Sequence, residues 1–503
     1  MSAFASQVLV RLDPRSREPL QTQLCVSLRR AIRSGVLGPG TRLPSSRSLA
    51  EDLRISRTTA VLAFDQLTAE GLIRTRAGAG TYVADPLPVD GERPAAAAAP
   101  RVRHPALSRR GAALASTPRA STKLGGPARP FRLGTPALDR VPVHAWTRLA
   151  MRRLKAMSLA QLDYADPPGL LALRQQIAEH LRRVRGASCS ADQVVVVTGA
   201  QHGLSMMCQV LLDPGDTAWL EDPGYTGARA ALTAAGARIV PIPVDGDGLD
   251  VAAGIRRAPR ARLAYVTPAH QFPLAVPMAH DRRLALLAWA RRARAWILED
   301  DYDCGFHYGS RPTPCLQSLD ADGRVIYIGS FSKTVFPAMR LGFVIVPPDL
   351  RDAMAGARRA STIHSPVLEQ GVMADLMASG AFERHLLRMR QEYRRRYDAL
   401  SAAAARHGSG LLTLRPLTTG LHAVADVIGA DDEAVCREAR ARGVEVMPMS
   451  FYCIDHRRRP PAGLLLGFAS IRTERFDAGM AALAAAIKAA RRVAAVQPGR
   501  FRR

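Results

Sequence analysis

Apolar residues at helical spacing predict three short helices in the first 84 residues. Their apolar positions are, in order, Leu20, Leu24, Leu28 and Ile32; Leu49 and Leu53; and Ala60, Phe64 and Leu67. Ser45-Ser46 and Ser56 precede the second and third helix, where a hydroxyl can cap free backbone amides. Two short apolar segments, 72–75 and 81–84, then flank a glycine-rich loop. Three helices followed by a β-hairpin predict a winged helix-turn-helix.

From residue 131 onward, short apolar segments alternate with helical ones. The segments that predict strands are 194–197, 218–220, 238–242, 263–266, 296–298, 325–328 and 343–346. Such alternation is typical of an α/β fold built on a mostly parallel sheet. A second, smaller subdomain is expected from about residue 347, where Arg-rich helical segments begin.

Between these two regions the apolar periodicity disappears. Residues 85–130 are rich in Ala, Pro, Arg and Gly and have few large apolar side chains. Such a segment cannot bury enough apolar surface to form a core, and its prolines favour an extended chain. The sequence therefore predicts three parts: a winged helix over 1–84, a linker over 85–130 and an α/β domain over 131–500.

The charge balance is strongly basic. The 503 residues include 70 Lys and Arg, the formal net charge is +26, and the isoelectric point is near 11.0. This excess favours a polyanionic partner, with nucleic acid ahead of a membrane surface. A GC-rich genome, which enriches Arg and Ala, is the competing explanation.

The seven cysteines are scattered, and no C-x-x-C pair occurs among them. This pattern predicts reduced thiols and favours neither a disulfide framework nor a zinc site. The N-terminus has no signal-peptide pattern, and no apolar run reaches the roughly 18 residues that a membrane helix needs. A cytoplasmic protein without metal is expected.

Residues 40–85 read GTRLPSSRSLAEDLRISRTTAVLAFDQLTAEGLIRTRAGAGTYVAD. This segment strongly resembles the DNA-binding domain of GntR-type regulators, which implies double-stranded DNA as a partner. The start of the third helix can enter the major groove, while basic residues around it can contact phosphates. The candidate DNA-binding residues are Arg42, Arg47, Ser56, Arg57, Thr58, Thr59, Arg74, Arg76 and Gly80. Val61 stands where the family often carries a basic residue.

Lysine is rare in this chain, because only Lys123, Lys155, Lys333 and Lys488 occur among the basic residues. Lys333 lies in the segment Gly-Ser-Phe-Ser-Lys-Thr at 329–334. A primary amine can lose its proton and form a Schiff base with a carbonyl group, whereas a guanidinium cannot. Lys333 is therefore a candidate nucleophile.

Four further segments stand before Lys333 in a characteristic order. They read Tyr-Ala-Asp-Pro-Pro-Gly-Leu at 164–170, Val-Thr-Gly-Ala-Gln at 197–201, Glu-Asp-Pro-Gly-Tyr at 221–225 and Leu-Glu-Asp-Asp-Tyr at 298–302. Together with 329–334 they resemble the aminotransferases of pyridoxal-phosphate fold type I. The resemblance implies pyridoxal 5'-phosphate as the cofactor, bound to Lys333 as a Schiff base. It also implies a large subdomain with a parallel sheet and a small C-terminal subdomain.

The same resemblance assigns roles around the cofactor. Its phosphate is expected at the amides of Ala200 and Gln201 and at the side chains of Ser330, Ser332 and Arg340.

Tyr225 is expected to stack on the cofactor ring, and Asp300 to face the pyridine nitrogen, with Asp301 as the alternative. Tyr302 and Gln271 are expected to donate to the ring oxygen.

Two segments depart from the aminotransferase pattern. His-Gln-Phe-Pro-Leu-Ala at 270–275 stands where these enzymes often have Asn-Pro-x-Gly. Gly-Leu-Leu-Leu-Gly-Phe-Ala-Ser at 463–470 lacks the Arg that usually binds the substrate carboxylate. Arg229 and Arg472 are the candidates for an effector carboxylate. Loss of the usual Arg is expected to weaken alignment for transamination.

Winged helix, linker and aminotransferase-like domain, in this order, resemble the MocR/GabR regulators over essentially the whole chain. The resemblance implies a transcriptional regulator that senses a small amino compound, a head-to-tail homodimer, and an operator with two half-sites. A sensor of the cofactor itself and an active aminotransferase that carries a DNA-binding domain are the rival hypotheses. Effector, operator and the sign of regulation stay open.

Overall fold

The computed structural model describes residues 12–16, 18–76, 79–85, 107–117, 129–303, 305–308, 314–417, 419–455 and 461–496. Residues 77–78 of the predicted wing loop and residues 86–106 and 118–128 of the predicted linker lie outside the described residues. The chain divides into two compact units, 1–105 and 106–503.

The first unit has three helices and a hairpin. These elements are α1 (Leu20–Arg33), α2 (Ser46–Leu53), α3 (Arg57–Ala69), β1 (Ile73–Arg76) and β2 (Gly80–Val83). The two strands pair antiparallel, with Ile73 opposite Val83. The predicted winged helix is confirmed, and both strands lie within one residue of their predicted bounds.

Serine caps and a small apolar core explain why these helices form. The Ser45 hydroxyl accepts from the Ser48 amide at 3.1 Å, and the Ser56 hydroxyl accepts from the Thr59 amide at 3.0 Å. Such caps satisfy amides that have no acceptor inside the helix. Apolar residues of all three helices and both strands are buried together, among them Leu24, Leu28, Leu49, Phe64, Leu67, Ile73 and Val83.

The second unit is built on a large sheet. Its strands are β3 (Val194–Val197), β4 (Thr217–Asp222), β5 (Arg238–Asp245), β6 (Gly248–Leu249), β7 (Leu263–Val266), β8 (Trp296–Asp300), β9 (Val325–Ser330) and β10 (Gly342–Ile345). They are ordered β3-β10-β9-β8-β7-β4-β5-β6. The strands from β9 to β5 in that order run parallel, whereas β10 is antiparallel to both of its neighbours. The predicted α/β fold with a mostly parallel sheet is confirmed.

Helices cover this sheet and form the small subdomain. Within the described residues they are α4 (Arg109–Ala115), α5 (Val143–Lys155), α6 (Leu171–Arg185), α7 (Ala200–Leu211), α8 (Thr226–Ala235), α9 (Val251–Arg257), α10 (His280–Ala293), α11 (Arg351–Ser361), α12 (Val367–Ala378), α13 (Ala381–His407), α14 (Asp432–Ala441) and α15 (Phe476–Val496). Strand β3 is buried along its whole length, which explains its uninterrupted valines. None of these helices is long and apolar enough to cross a membrane.

The small subdomain also contains a sheet that the sequence pattern does not predict. Its strands are β11 (Leu412–Leu414), β12 (His422–Val427), β13 (Met447–Pro448) and β14 (Gly463–Gly467). They pair antiparallel in the order β11-β12-β14-β13. Two of them have only two or three residues, which is too short for a recognisable alternation of apolar and polar positions.

Part of the predicted linker is helical, which corrects the expectation of an extended chain over residues 107–117. Helix α4 is capped by Ser108, whose hydroxyl accepts from the Gly111 amide at 3.0 Å. It packs against α8 of the second unit, with the Arg110 side chain next to Gly236. No residue of α4 is buried, so the segment does lack a core of its own, and helix α8 supplies the surface on which it forms.

We predict that Gly342→Ala destabilises the second unit by about 1–3 kcal/mol, the usual range for overpacking. A Cβ at this position would lie 2.9 Å from the Gly199 Cα and 2.9 Å from the Gly329 carbonyl oxygen, both of which are backbone atoms. The midpoint of urea unfolding, followed by far-UV circular dichroism, measures the loss. Gly246→Ala is the matched control, because nothing lies within 4 Å of its added Cβ. Equal midpoints for the two variants would contradict the close packing of β3, β10 and β9.

Candidate functional site

Strand β10 brings the ends of two other strands together. Gly342 lies opposite Val197 of β3 on one side and opposite Ser330 of β9 on the other. The chain leaves β3 at Val197 and enters helix α7 through Thr198 and Gly199. The beginning of α7, the end of β9 and the beginning of β10 therefore meet at one edge of the sheet.

Groups suited to a phosphate converge at this edge. Gly199 precedes α7 with φ of 100°, and the first-turn amides of Ala200 and Gln201 have no acceptor inside the helix. Arg340 donates through Nη2 to the Thr198 carbonyl oxygen at 2.8 Å. A Cβ on Gly199 would lie 3.3 Å from the same Nη2 atom, so glycine leaves room for the guanidinium. A helix N-terminus beside an Arg forms a strong anion site.

Two serines border the same edge from β9 and the loop after it. Ser330 ends β9 and is buried, and its hydroxyl accepts from the Ser332 amide at 3.1 Å. Ser332 is half-buried and directly precedes Lys333. The five predicted phosphate ligands are thus placed on two elements and one loop that the strand pairing holds together.

A buried carboxylate lies at the end of the parallel strand next to β9. Asp300 ends β8, and its Oδ2 accepts from the Tyr265 hydroxyl at 2.7 Å. Its Oδ1 is buried and has no hydrogen-bond partner among the described residues. Burial raises the pKa of this carboxyl from 3.8 to about 7, although the Tyr265 hydrogen bond opposes the shift. A protonated ring nitrogen is the kind of donor that this free oxygen fits.

The neighbouring acid has a different role. Asp301 Oδ2 accepts from Arg185 Nε at 2.8 Å and from the Tyr327 hydroxyl at 2.7 Å, and all three residues are buried. This ion pair neutralises Asp301 inside the protein. The geometry therefore supports Asp300, rather than the alternative Asp301, as the partner of a pyridine nitrogen.

Tyr225 directly precedes helix α8, and its ring stacks against that of Tyr265 with centroids 6.5 Å apart. Its hydroxyl donates to Gln201 Oε1 at 3.2 Å, and Gln201 Nε2 donates to the Gly227 carbonyl at 2.9 Å. Burial raises the pKa of Tyr225 to about 12; the charge of Asp300 raises it further, and that of Arg340 lowers it. The ring therefore packs against Tyr265, the phenol that donates to Asp300.

Lys333 is half-buried and lies next to Gly134, ahead of helix α5. Its Nζ donates to the Gly134 carbonyl oxygen. Burial lowers the pKa of the amine, while the carboxylates of Asp303 and Asp300 oppose that shift. A lowered pKa favours the neutral amine, which is the form that attacks a carbonyl group.

Tyr302 and Gln271 differ from each other in their surroundings. The Tyr302 hydroxyl lies 3.0 Å from His270 Nδ1. Gln271 Nε2 instead donates to Glu221 and to the carbonyls of Pro223 and Phe272, at 2.8–3.2 Å. The geometry does not support Gln271 as a donor to the ring oxygen, because its amide is used to hold buried Glu221 in place.

The two candidate arginines for an effector carboxylate differ in where the structure places them. Arg229 lies in α8, one turn after Tyr225. The side chain of Arg472 is 76% exposed, with the Asp139 carboxylate at 3.9 Å.

Strand β14 supplies no cation. Leu464, Leu465 and Leu466 are fully buried. Leu465 packs with Leu274 and Tyr452 in an apolar cluster that also includes Phe272. Where related enzymes place an Arg, this chain has apolar packing.

Three contributors to the site are absent from the sequence-based set. Tyr265 bonds to Asp300, His270 lies beside Tyr302, and the Gly134 carbonyl binds Lys333. A phenol inside the apolar strand β7 and a histidine adjacent to Gln271 are signals that a closer search could have used. The Gly134 contact joins residues 199 positions apart and leaves no local signal in the sequence.

The predicted DNA-reading residues lie at the start of α3 in the first unit. Arg57 and Thr58 are exposed. Ser56 and Thr59 bond to each other, with their hydroxyl oxygens 2.8 Å apart. Arg57 and Thr58 are therefore accessible for the predicted base contacts, whereas Ser56 and Thr59 bond to each other at the start of the helix.

The remaining basic candidates surround this helix and the wing. Arg42 lies against Gly80, where an added Cβ would be 3.3 Å from its Nε atom. The Arg76 guanidinium lies 5.3 Å from the centre of the Tyr82 ring. Arg47 is exposed, with Glu51 at 3.4 Å. These positions suit contacts with the DNA backbone.

Comparison with known families matches both units. The family described as bacterial regulatory proteins, gntR family, matches residues 20–83. The family described as aminotransferase class I and II matches residues 131–475. A gntR-type domain joined to an aminotransferase-type domain defines a class of transcriptional regulators.

The relatives identify the class more closely. The chain is 39% identical over 482 residues to the probable rhizopine catabolism regulatory protein MocR of Rhizobium meliloti, covering 95% of this chain and 96% of that protein. It is 32% identical to the pyridoxine biosynthesis transcriptional regulator PdxR of Corynebacterium glutamicum, covering 88% and 91% of the two chains. The chain belongs to the MocR-type transcriptional regulators.

A solved structure shows the fold of the second unit. The α-aminoadipate aminotransferase LysN of Thermus thermophilus, complexed with N-(5'-phosphopyridoxyl)-L-leucine, is similar with a TM-score of 0.66 and 26% identity. The similarity covers 72% of this chain and 92% of LysN. The aminotransferase fold of pyridoxal-phosphate fold type I is thereby confirmed.

The two adjacent acids give a matched pair of variants. We expect Asp301→Asn to destabilise the protein by about 3–5 kcal/mol, because it leaves the Arg185 charge buried without its partner. We expect Asp300→Asn to preserve or increase the stability of the cofactor-free protein. The folded-state pKa of Asp300 lies above its ordinary value of 3.8, so its ionisation costs wild-type stability as pH rises from about 4 to about 7.

Urea unfolding of the cofactor-free variants between pH 5 and pH 8 measures both effects. The stability gain of Asp300→Asn over wild type should grow with pH up to about 7 and then level off. A larger loss of stability in Asp300→Asn than in Asp301→Asn would contradict the assigned roles.

Proposed function

We propose that this regulator binds pyridoxal 5'-phosphate on Lys333 and uses it to sense a small amino compound that controls binding to DNA. When bound, the cofactor supplies an aldehyde carbon that joins an amine covalently and reversibly. In the proposal, Lys333 holds the cofactor until an effector amine replaces it. Tyr302 faces the ring oxygen, and Tyr225 stacks on the ring.

One observation carries the proposal. Buried Asp300 presents an unpartnered oxygen and is bonded to Tyr265, whose ring stacks against Tyr225. Tyr225 in turn donates to Gln201 in the first turn of α7, where Arg340 completes an anion site. An acid for a ring nitrogen at one end and a phosphate site at the other match the two charged ends of the cofactor.

The apolar side chains at the place where a substrate carboxylate would lie favour sensing over turnover. Leu464, Leu465 and Leu466 of β14 are buried in apolar packing. Since this strand offers no cation for a substrate carboxylate, an amine that binds to the cofactor would have a poorly aligned reacting bond.

Two other functions have specific support. PdxR is a regulator of pyridoxine biosynthesis, which favours a sensor of the cofactor itself as the second candidate. The chain is also 30% identical over 281 residues to the 2-aminoadipate transaminase of Thermus thermophilus, which keeps an active aminotransferase as the third. A cofactor sensor predicts a DNA response to pyridoxal phosphate alone, whereas an active aminotransferase predicts release of a 2-oxo acid.

Regulation follows if the effector prefers one of two arrangements of the protein. An amine shifts DNA affinity only by its differential affinity for those arrangements. We further propose a head-to-tail homodimer on an operator with two half-sites, since paired winged helices read paired sites. A fusion of DNA-binding and amine-binding domains in one chain fits this linkage.

Lys333→Ala provides the first test in the full-length protein. We expect the yellow absorbance of the cofactor-loaded protein to disappear, while affinity for a duplex from its own promoter stays within about twofold of the effector-free wild type, a difference under 0.5 kcal/mol. A panel of amino acids and of amines without a carboxylate should change both absorbance and DNA affinity in wild type only. Absorbance spectra and fluorescence anisotropy measure the two responses.

Lys488→Ala is the matched control, because Lys488 is exposed on α15; it should behave as wild type. Retention of the absorbance in Lys333→Ala would contradict the central assignment. Repeated turnover of amino acid to 2-oxo acid by wild type would favour the enzyme instead.

Two arginines of the first unit distinguish base reading from backbone contact. Arg57→Ala should weaken binding to the promoter duplex by about 1–3 kcal/mol and leave binding to a scrambled duplex nearly unchanged. Arg76→Ala should weaken both duplexes equally and reduce the salt slope by about 1. Anisotropy titrations at several salt concentrations measure both quantities. Equal losses on the two duplexes for Arg57→Ala would exclude it from base recognition.

A further inference from the structure

A buried cluster of polar side chains lies behind Tyr302, outside the roles assigned so far. His270 is 3% exposed, and its Nδ1 lies 3.0 Å from the Tyr302 hydroxyl and 3.5 Å from Asp303 Oδ2. Asp303 is also buried, and its Oδ2 has no hydrogen-bond partner among the described residues. One imidazole nitrogen therefore forms a hydrogen bond with a phenol and lies within ion-pair distance of a buried carboxylate.

Packing fixes the positions of these groups. Gly420 has φ of +87°, and a Cβ there would lie 2.2 Å from His270 Cε1 and 2.7 Å from Asp303 Oδ2. The His270 and Tyr302 rings are nearly parallel, with centroids 5.8 Å apart. Phe272 meets the Tyr302 ring edge-on at 5.8 Å. The imidazole cannot rotate away from the phenol without displacing backbone.

The Tyr302–His270 contact contains few protons, so the direction of its hydrogen bond decides which acceptor the phenol can reach. A tyrosine hydroxyl has one proton, and burial together with the charges of Asp303 and Asp300 raises the pKa of Tyr302, so the phenol keeps it. If the phenol donates to His270 Nδ1, that proton is not available to any other acceptor. If His270 Nδ1 carries the proton instead, it donates to the phenol oxygen and leaves the phenol proton free.

The surroundings of His270 favour the second arrangement. The Asp303 carboxylate faces Nδ1 and stabilises a proton on that nitrogen, as carboxylates beside histidines commonly do. His422 of β12 is the next ring, with its centroid 5.2 Å away, and burial lowers its pKa to about 4. Other titratable groups whose charges act within this cluster are Asp300, Glu221, Asp301, His307 and Lys333. A neutral His422 does not oppose the Nδ1 proton.

We propose that His270, oriented by Asp303, donates its Nδ1 proton to the Tyr302 oxygen and thereby directs the phenol proton toward the ring oxygen of the cofactor on Lys333. His270 is thus a positioning residue that acts through Tyr302. This inference rests on the proposed function, because it needs the cofactor at Lys333. His270 would then set how readily the Lys333-bound cofactor gains or loses its proton.

The test is a pH titration of the visible absorbance of the cofactor-loaded, full-length protein. A proton that Tyr302 donates to the ring oxygen competes with the proton that this oxygen shares with the Lys333 nitrogen. His270→Phe keeps a ring but removes the donor that orients and polarises the phenol, so Tyr302 should donate less strongly to the ring oxygen. The titration midpoint should then rise, by at most about one pH unit, the effect of losing one whole hydrogen bond. His270→Asn retains an amide donor and should return the midpoint toward wild type.

The opposite hydrogen-bond direction gives the opposite sign. If the phenol donates to His270 in wild type, His270→Phe frees the phenol and the midpoint falls. A fall, or no change, overturns the proposal.

A second background separates action through Tyr302 from a direct electrostatic effect. Tyr302→Phe alone should raise the midpoint, and adding His270→Phe to it should cause no further shift, because the two residues form one unit. A further shift of equal size would overturn the route through Tyr302. A wild-type protein without titrating absorbance would contradict the proposed function, whereas a titrating wild type with unshifted variants would contradict only this inference.

Discussion

The antiparallel insertion of β10 between β3 and β9 is the constraint on which the site depends. Its register sets Gly342 against both Val197 and Ser330, and only a residue without a side chain allows the backbone at Gly199 to approach so closely. Helix α7, the loop that carries Lys333, and Arg340 all lie directly next to this contact in the chain. The anion site is therefore a product of strand pairing, and no single loop forms it alone.

Three buried acids differ in whether the protein supplies all of their hydrogen-bond partners. Burial raises the pKa of Glu221, Glu299 and Asp300 alike to about 7. Glu221 is satisfied by Thr267 and Gln271, and Glu299 by two backbone amides. Asp300 alone of these three leaves an oxygen without a partner within the described residues. A buried acceptor without a partner is energetically unfavourable, so the open oxygen of Asp300 fits a ligand that has a proton to donate.

Much of this architecture is predictable from the sequence because its signals are local. Serine caps, apolar spacing and a hairpin identify the winged helix, and continuous valines identify β3. The segment around Lys333 identifies the site because rare residue types stand at fixed spacing. Helix α4 and the strands β11 to β14 are not predicted. Helix α4 depends on the surface of α8, and β11 and β13 are too short to show a period.

The residues of the site also fall into those with a local sequence signal and those without one. Lys333, Asp300 and Arg340 stand in recognisable segments, whereas Tyr265, His270 and the Gly134 carbonyl join it only through tertiary contacts. Gln271 shows the same limit of local signals. Its amide type suits a ring oxygen, but in the fold its donors bond to buried Glu221 and to two backbone carbonyls.

The rarity of lysine makes the central claim directly measurable. Borohydride reduction of the cofactor-loaded protein, followed by peptide mass spectrometry, locates any amine that bonds to pyridoxal phosphate. With four lysines in the chain, the assignment is unambiguous. The account predicts the phosphopyridoxyl group on the peptide that contains Lys333 and on no other. A label on Lys123, Lys155 or Lys488, or none at all, would contradict it.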